Sequence, residues 1–168
     1  MIIHRLDHTK LSEQDMEELL TMFRNSSVES DYMAIGEIND METLKKVLHN
    51  KNLIHFIGYE KAVPVAYCQV MYKSESVNFH SGAKINAIAV LPDMRGKNLG
   101  KKLLEETITA LQKNTNIKNI YLDVVKNNIV AINLYKKIGF EKIGELKSIF
   151  TKNNTLMDVE IYSLLVNK

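Results

Sequence analysis

The chain has 168 residues, a length that suits one domain with interior enough to need no disulfide staples. Its 45% hydrophobic and 25% charged residues are the balance of an ordinary soluble globule. A formal net charge of +2, with Lys and Glu scattered, argues against a dedicated nucleic-acid binder. No run approaches the ~18 apolar residues of a membrane span, and MIIHRLDHTK turns charged before a signal peptide's apolar segment could form. The single cysteine, Cys68, rules out an internal disulfide and suits a reducing cytoplasm. It sits within the apolar AVPVAYCQV, where a buried, inert thiol is expected rather than a nucleophile.

In chain order, IIHRL alternates and reads as a short strand. Ser12 with Asp15 three residues on caps a helix whose Met16, Leu19, Leu20 and Phe23 form one stripe. Arg24 to Asn39 is polar and irregular, with room for a helical turn. Asp40 caps a second short helix, METLKKVLHN, with Leu44, Val47 and Leu48 facing inward. LIHFIGYE and VPVAYCQVMYK, joined by a Lys-Ala turn, read as a hairpin, and KINAIAVL as a central strand. Pro92 ends that strand, and a helix follows from about Asn98 to Lys113. Then come strand IKNIYLDVV, a helix from Asn128 to Ile138, and closing strands FEKIGELKSIF and TLMDVEIYSLLV. No repeat or linker divides the chain, so residues 1–168 read as one α+β domain: a mixed sheet flanked by helices.

The most informative stretch is NAIAVLPDMRGKNLGKKLLEETI. A strand ends, a short polar turn follows, and an amphipathic helix opens within RGKNLG. The first turn of a helix carries unpaired N–H groups and the positive end of its dipole. Gly96 and Gly100 let a phosphate approach the backbone, while Arg95, Lys97 and Lys101 supply positive charge. The pattern is neither GxGxxG nor GxxxxGK[ST]. A second segment, LDVVKNNIVAINLYKKIGF, spaces Asn128, Ala131 and Tyr135 along one helical face. Taken singly, Asn128 is an ordinary N-cap and Tyr135 a core aromatic.

Together the two segments resemble the GNAT superfamily of acetyl-CoA-dependent N-acetyltransferases. That family has V-x-P and then R/Q-x-x-G-x-G/A, with which Val90, Pro92, Arg95 and Gly100 fall in register, and Asn98 stands at the middle glycine. Asn is the residue after Gly best able to take a left-handed backbone. The second family pattern, V-x-x-x-N-x-x-A-x-x-L-Y-x-x-x-G-F, is matched by Val124, Asn128, Ala131, Leu134, Tyr135, Gly139 and Phe140. The resemblance implies a mostly antiparallel sheet flanked by about four helices. It gives coenzyme diphosphate to the backbone of Arg95, Gly96, Lys97, Asn98, Leu99, Gly100 and Lys101. It gives the pantetheine arm to Ile88, Ala89 and Val90, with Asn128, Ala131 and Tyr135 alongside.

The resemblance also makes Tyr135 the general acid for the departing thiolate, in a direct attack by an amine within a ternary complex. Many relatives place a carboxylate on the strand before the coenzyme loop, but this chain has Asn86, Ala87, Ile88 and Ala89 there, none of them a base. Glu37, Glu75 and His80 are candidates through a water chain, and each also reads as a surface residue. His4 and His8 lie on a strand that breaks, so no metal is expected. The implied acceptor is a small amine, with a peptide or protein amine as the alternative. A non-catalytic acyl-CoA-binding module is the rival from another class. A homodimer is among the assemblies the resemblance implies, with the apolar VEIYSLLV as one interface.

Overall fold

A computed structural model describes residues 1–7, 10–27, 38–72, 81–113, 116–152 and 154–166. In chain order the elements are β1 (Ile2–Arg5), α1 (Glu13–Ser27), α2 (Met41–Leu48), β2 (Leu53–Glu60), β3 (Val63–Met71), β4 (Gly82–Val90), a 3₁₀ turn (Pro92–Met94), α3 (Leu99–Gln112), β5 (Asn119–Val125), α4 (Ile129–Ile138), β6 (Glu141–Lys152) and β7 (Thr155–Leu165). The strands form one seven-stranded sheet in the order β1-β2-β3-β4-β5-β7-β6. Every neighbouring pair is antiparallel except β4 with β5. The α+β architecture read from the sequence is therefore the observed one.

Local chemistry accounts for the element ends. Ser12 and Asp15 form a reciprocal cap, the Ser12 hydroxyl accepting from Asp15 N–H at 3.1 Å and the Asp15 carboxylate accepting from Ser12 N–H at 2.8 Å. Asp40 accepts from Thr43 N–H at 2.8 Å and starts α2, whose Leu44 and Leu48 are buried. The hairpin between β2 and β3 turns on Lys61 and Ala62, both left-handed (φ 50° and 66°), the backbone hand that matches strand twist.

The helical turn for which the segment from Arg24 has room is the last turn of α1, which continues to Ser27. Arg24 explains part of this, since its Nη2 and Nε donate to the Asn39 carbonyl at 2.7 and 3.0 Å and tie the helix end to the approach of α2.

Helices cover both sheet faces. On one, α3 and α4 close over Cys68, Val70, Ile85, Ile120, Leu122 and Tyr162; on the other, α1 and α2 close over Ile57, Tyr67, Ala87 and Ala89. β4 is the central strand and touches both cores, which is why KINAIAVL is apolar on alternate and intervening positions alike. β7 lies between β5 and β6 with both its edges paired, so the edge strand on that side is β6. Among the described residues no helix is long and apolar enough to cross a membrane.

Candidate active site

β4 and β5 begin as partners and then part. Their parallel pairing runs from Gly82↔Asn119 to Ile85↔Leu122, although β4 continues to Val90 and β5 to Val125. The cause lies on the other edge of β4. β3 pairs Val70 with Ile85 but Gln69 with Ala87, so Asn86 is an extra residue, a bulge that sharpens the local twist. Beyond it the edge of β4 that faces β5 has no ladder partner among the described residues. Backbone amides in such a gap need partners, and an extended ligand bearing amides of its own can supply them as an added strand would.

The bulge also exchanges faces. Ala83 and Ile85 lie in the core under α3 and α4, whereas Ala87 and Ala89 lie in the core under α1 and α2. Ile88 and Val90 consequently pack toward α3 and α4.

The anion turn sits at the far end of the gap. After Arg95, Gly96 is left-handed at φ 75° and Asn98 at φ 60°, ψ 15°, so Asn98 takes the special conformation in which a glycine is the usual choice. Asn98 caps α3 with its backbone and not its side chain. The first bond within the helix is Lys102 N–H to Asn98 C=O at 3.1 Å, so the N–H groups of Leu99, Gly100 and Lys101 precede the ladder. A Cβ built on Gly100 would touch Leu134 and Val90 at 3.6 Å each, which shows that this turn, the end of β4 and α4 converge. Arg95 Nε donates to the Val90 carbonyl at 3.2 Å, Lys97 Nζ to the Asp93 carbonyl at 3.2 Å, and Lys101 Nζ lies 3.6 Å from Glu105. The positive charge thus stays gathered around the helix start.

α4 flanks the gap. Asn128, an N-cap in the sequence reading, is the cap of this helix, its Oδ1 accepting from Ala131 N–H at 3.2 Å while the helix starts at Ile129. Gly139 ends it in the left-handed region at φ 105°, letting Phe140 N–H reach the Tyr135 carbonyl at 3.0 Å. That closure seats Phe140 against Tyr135, ring centroids 6.0 Å apart and tilted by 61°. Tyr135 is 6% exposed and lies in the core cluster of the α3/α4 face. Burial, with the Cys68 and Asp123 charges adding to it, holds its phenol above the ordinary tyrosine value, so it carries its proton throughout the neutral range. Cys68 is wholly buried, and desolvation pushes its thiol up to about 12, which removes it as a nucleophile.

A residue that motif reading misses stands opposite. Leu122 and Val124 point into the α3/α4 core, so Asp123 between them points to the other face. Its carboxylate is 47% exposed and ion-paired with Lys84 of β4. In register it lies one residue past the last β4–β5 pair, beside the mouth of the gap. Tyr135 and Asp123 therefore flank the parted strands from opposite faces of the sheet. The signal was present in IYLDVV, a single acid in an apolar strand.

Glu37, Glu75, His80 and His8 lie outside the described residues. Among the described residues no cluster of His, Cys, Asp or Glu could hold a metal ion.

Comparison with known proteins agrees with this geometry. Residues 14–140 match the model of the "Acetyltransferase (GNAT) family". A spermine/spermidine N(1)-acetyltransferase of Bacillus subtilis is 48% identical over 52 residues, 31% of this chain and 34% of that enzyme. The match thus spans about a third of that relative's length. Among solved structures, a ribosomal-protein-alanine N-acetyltransferase from Brucella melitensis superposes with a TM-score of 0.84 at 19% identity, over 99% of this chain and 100% of that one. An acetyltransferase from Salmonella typhimurium, solved with acetyl-CoA, superposes with a TM-score of 0.80 at 16% identity, over 98% of this chain and 93% of that one. With parted central strands, a basic turn at the head of α3 and a family model matched across both, the chain belongs to the GNAT family of N-acetyltransferases.

Proposed function

We propose that the protein transfers an acetyl group from acetyl-CoA to a small primary amine, by direct attack in a ternary complex. One observation carries the reading: β4 and β5 separate after Ile85↔Leu122, with Tyr135 on one face of the opening and Asp123 on the other. The thioester supplies the acyl group. The N–H groups of residues 96–101 receive its diphosphate and the open edge of Ile88–Val90 its pantetheine, while Asn128 and Ala131 line the α4 side. Main-chain N–H groups of the same strand edge hold the carbonyl oxygen as it gains charge.

The proton bookkeeping closes on named residues. Asp123 accepts a proton from the arriving ammonium and returns it to solvent, to which it is open. The amine nitrogen bonds to the acyl carbon, the carbon–sulfur bond breaks and the Tyr135 hydroxyl protonates the sulfur; the proton that the nitrogen sheds on becoming an amide leaves through Asp123 to solvent, and solvent reprotonates Tyr135. Burial keeps the Tyr135 phenol protonated at neutral pH, so a proton is on hand when the thiolate forms beside it.

The small-amine acceptor is supported by the 48% match to a spermine/spermidine acetyltransferase. A peptide N-terminus is the competing acceptor and separates in the same assay, as does binding without turnover, the mark of a non-catalytic module. One domain over 1–168, a cytoplasmic location and a homodimer complete the reading. For the homodimer, the exposed Ile143, Leu146, Ile149 and Leu156 on β6 and β7 are the apolar surface to test by sedimentation. Thiol release from acetyl-CoA with spermidine, alaninamide and an alanine-initiated hexapeptide tests the function. Turnover of spermidine or alaninamide above the peptide supports it, and saturable acetyl-CoA binding with no turnover on any amine contradicts it.

A further inference from the structure

A line of buried polar side chains on the α1/α2 face ends at the bulge. Tyr67 is 0% exposed within the core under α1, its ring edge-on to Phe23 at 4.7 Å and stacked on His55 at 5.9 Å. Its hydroxyl lies 2.7 Å from His55 Nδ1 and receives Gln69 Nε2–H at 3.1 Å. Gln69 Oε1 in turn receives Asn86 Nδ2–H at 3.3 Å. With Gln69 donating to the phenol oxygen, the phenol hydrogen has His55 Nδ1 as its acceptor in the tautomer that carries the imidazole proton on Nε2. The links run one way, from Asn86 through Gln69 and Tyr67 to His55.

That direction matters at Asn86. A planar amide whose nitrogen donates to Gln69 of β3 turns its oxygen away from that bond, and the flank of β4 opposite β3 is the one from which β5 departs. Among the described residues Asn86 Oδ1 takes part in no hydrogen bond. Asn86 and Asp123 occupy the same face of the sheet, Asn86 one residue past Ile85 and Asp123 one past Leu122, the last pair before the strands part. Two side chains that carry oxygen acceptors thus stand on different strands, on one face, where the strands part.

We propose that Asn86 Oδ1 and the Asp123 carboxylate together grip the two N–H bonds of a neutral primary amine, and that Gln69 and Tyr67 are positioning residues that keep the Asn86 oxygen turned outward. This rests on the acetyltransferase reading above. An sp³ amine with both hydrogens held has its lone pair in the one remaining direction, toward the acyl carbon. An N-methyl amine has one hydrogen fewer and leaves one of the two oxygens unpaired, so the site selects primary over secondary amines.

The experiment compares kcat/KM for alaninamide, spermidine and the alanine-initiated hexapeptide with that for each compound's N-monomethyl counterpart, in the unmodified protein, Asn86→Leu and Tyr67→Phe. Turnover of at least one primary amine by the unmodified protein tests the underlying function, and the primary-to-methyl ratio tests this proposal separately. Asn86→Leu is expected to lower kcat/KM on the primary amine about 10-fold while leaving the methylated amine nearly unchanged, so the ratio collapses. Tyr67→Phe frees Gln69 to turn over and is expected to lower the ratio in part. Acetyl-CoA titration of each variant reports whether it is folded. Equal losses on both amines, or a ratio unchanged in both variants, would overturn the proposal, and no turnover by the unmodified protein on any of the three would overturn it together with the function beneath.

Discussion

The proposed coenzyme side and the proposed acceptor side of the parted strands are built from different materials. The coenzyme side is main chain: the open edge of β4, the left-handed Gly96 and Asn98, and the bare N–H groups at the head of α3. The acceptor side is side chains: Asp123 held by Lys84, and Asn86 turned outward by Gln69 and Tyr67. A main-chain site needs particular backbone conformations, which only a few residue types adopt, so it leaves a motif. A side-chain site can be assembled from almost any polar residue that points the right way, so it leaves none.

The sharpest way to break that division is at Tyr135. Tyr135→Phe should leave acetyl-CoA affinity nearly unchanged and lower kcat by roughly 10²–10⁴-fold, the range that removal of an acid catalyst produces. An unchanged rate would take Tyr135 out of the chemistry. Because its pKa is raised above the ordinary value of about 10, kcat of the unmodified protein should show no alkaline fall from this group up to that pH.

On the acceptor side, Asp123→Asn should lower kcat/KM by ~10²-fold at neutral pH with coenzyme affinity intact. The deficit should shrink as pH approaches the amine's own pKa of ~10, where the substrate arrives neutral and needs no base. A deficit constant across pH would make Asp123 a structural partner of Lys84 only.

How far the sequence reveals each side follows from the same contrast. The order of elements along the chain, the caps of α1 and α2 and the positions of α3 and α4 were readable, because periodicity and capping are local. The bulge at Asn86 was hidden. Ala83, Ile85, Ala87 and Ala89 are all buried, so the alternation passes through the bulge unbroken even though the side chains change faces there. Only the register against β3 reveals the exchange, and register is a property of two strands. Asp123 went unread for a related reason: its role depends on β4 leaving β5, which neither strand's sequence encodes alone. Where α1 ends was not readable either, because Arg24 is held by a carbonyl 15 residues away in sequence.

Smaller effects sharpen the coenzyme side. Asn98→Val places a β-branched residue at φ 60° and should cost ~1–2 kcal/mol of stability, read as a lower denaturation midpoint, with weakened acetyl-CoA binding. Unchanged stability would mean the turn adopts another conformation in solution.

The smallest effect lies away from the site. On β6 and β7, Lys142 and Lys147 hold the Glu145 carboxylate well below its usual value, and Lys147 and Lys142 do the same for Asp158 and Glu160. A depressed carboxylate contributes stability that is fully present above its unfolded-state pKa, about 4.5 for the glutamates, and is lost as pH falls through the folded-state value. Thermal midpoints should therefore drop on acidification below that point, and the drop should be shallower in Glu145→Gln.

The claim on which both halves depend is that coenzyme fills the parted strands and the head of α3. Calorimetric titration of the purified protein with acetyl-CoA tests it directly. Saturable binding that weakens in Asn98→Val and persists in Tyr135→Phe is the predicted result. No measurable affinity for acetyl-CoA or for the free coenzyme would contradict the account.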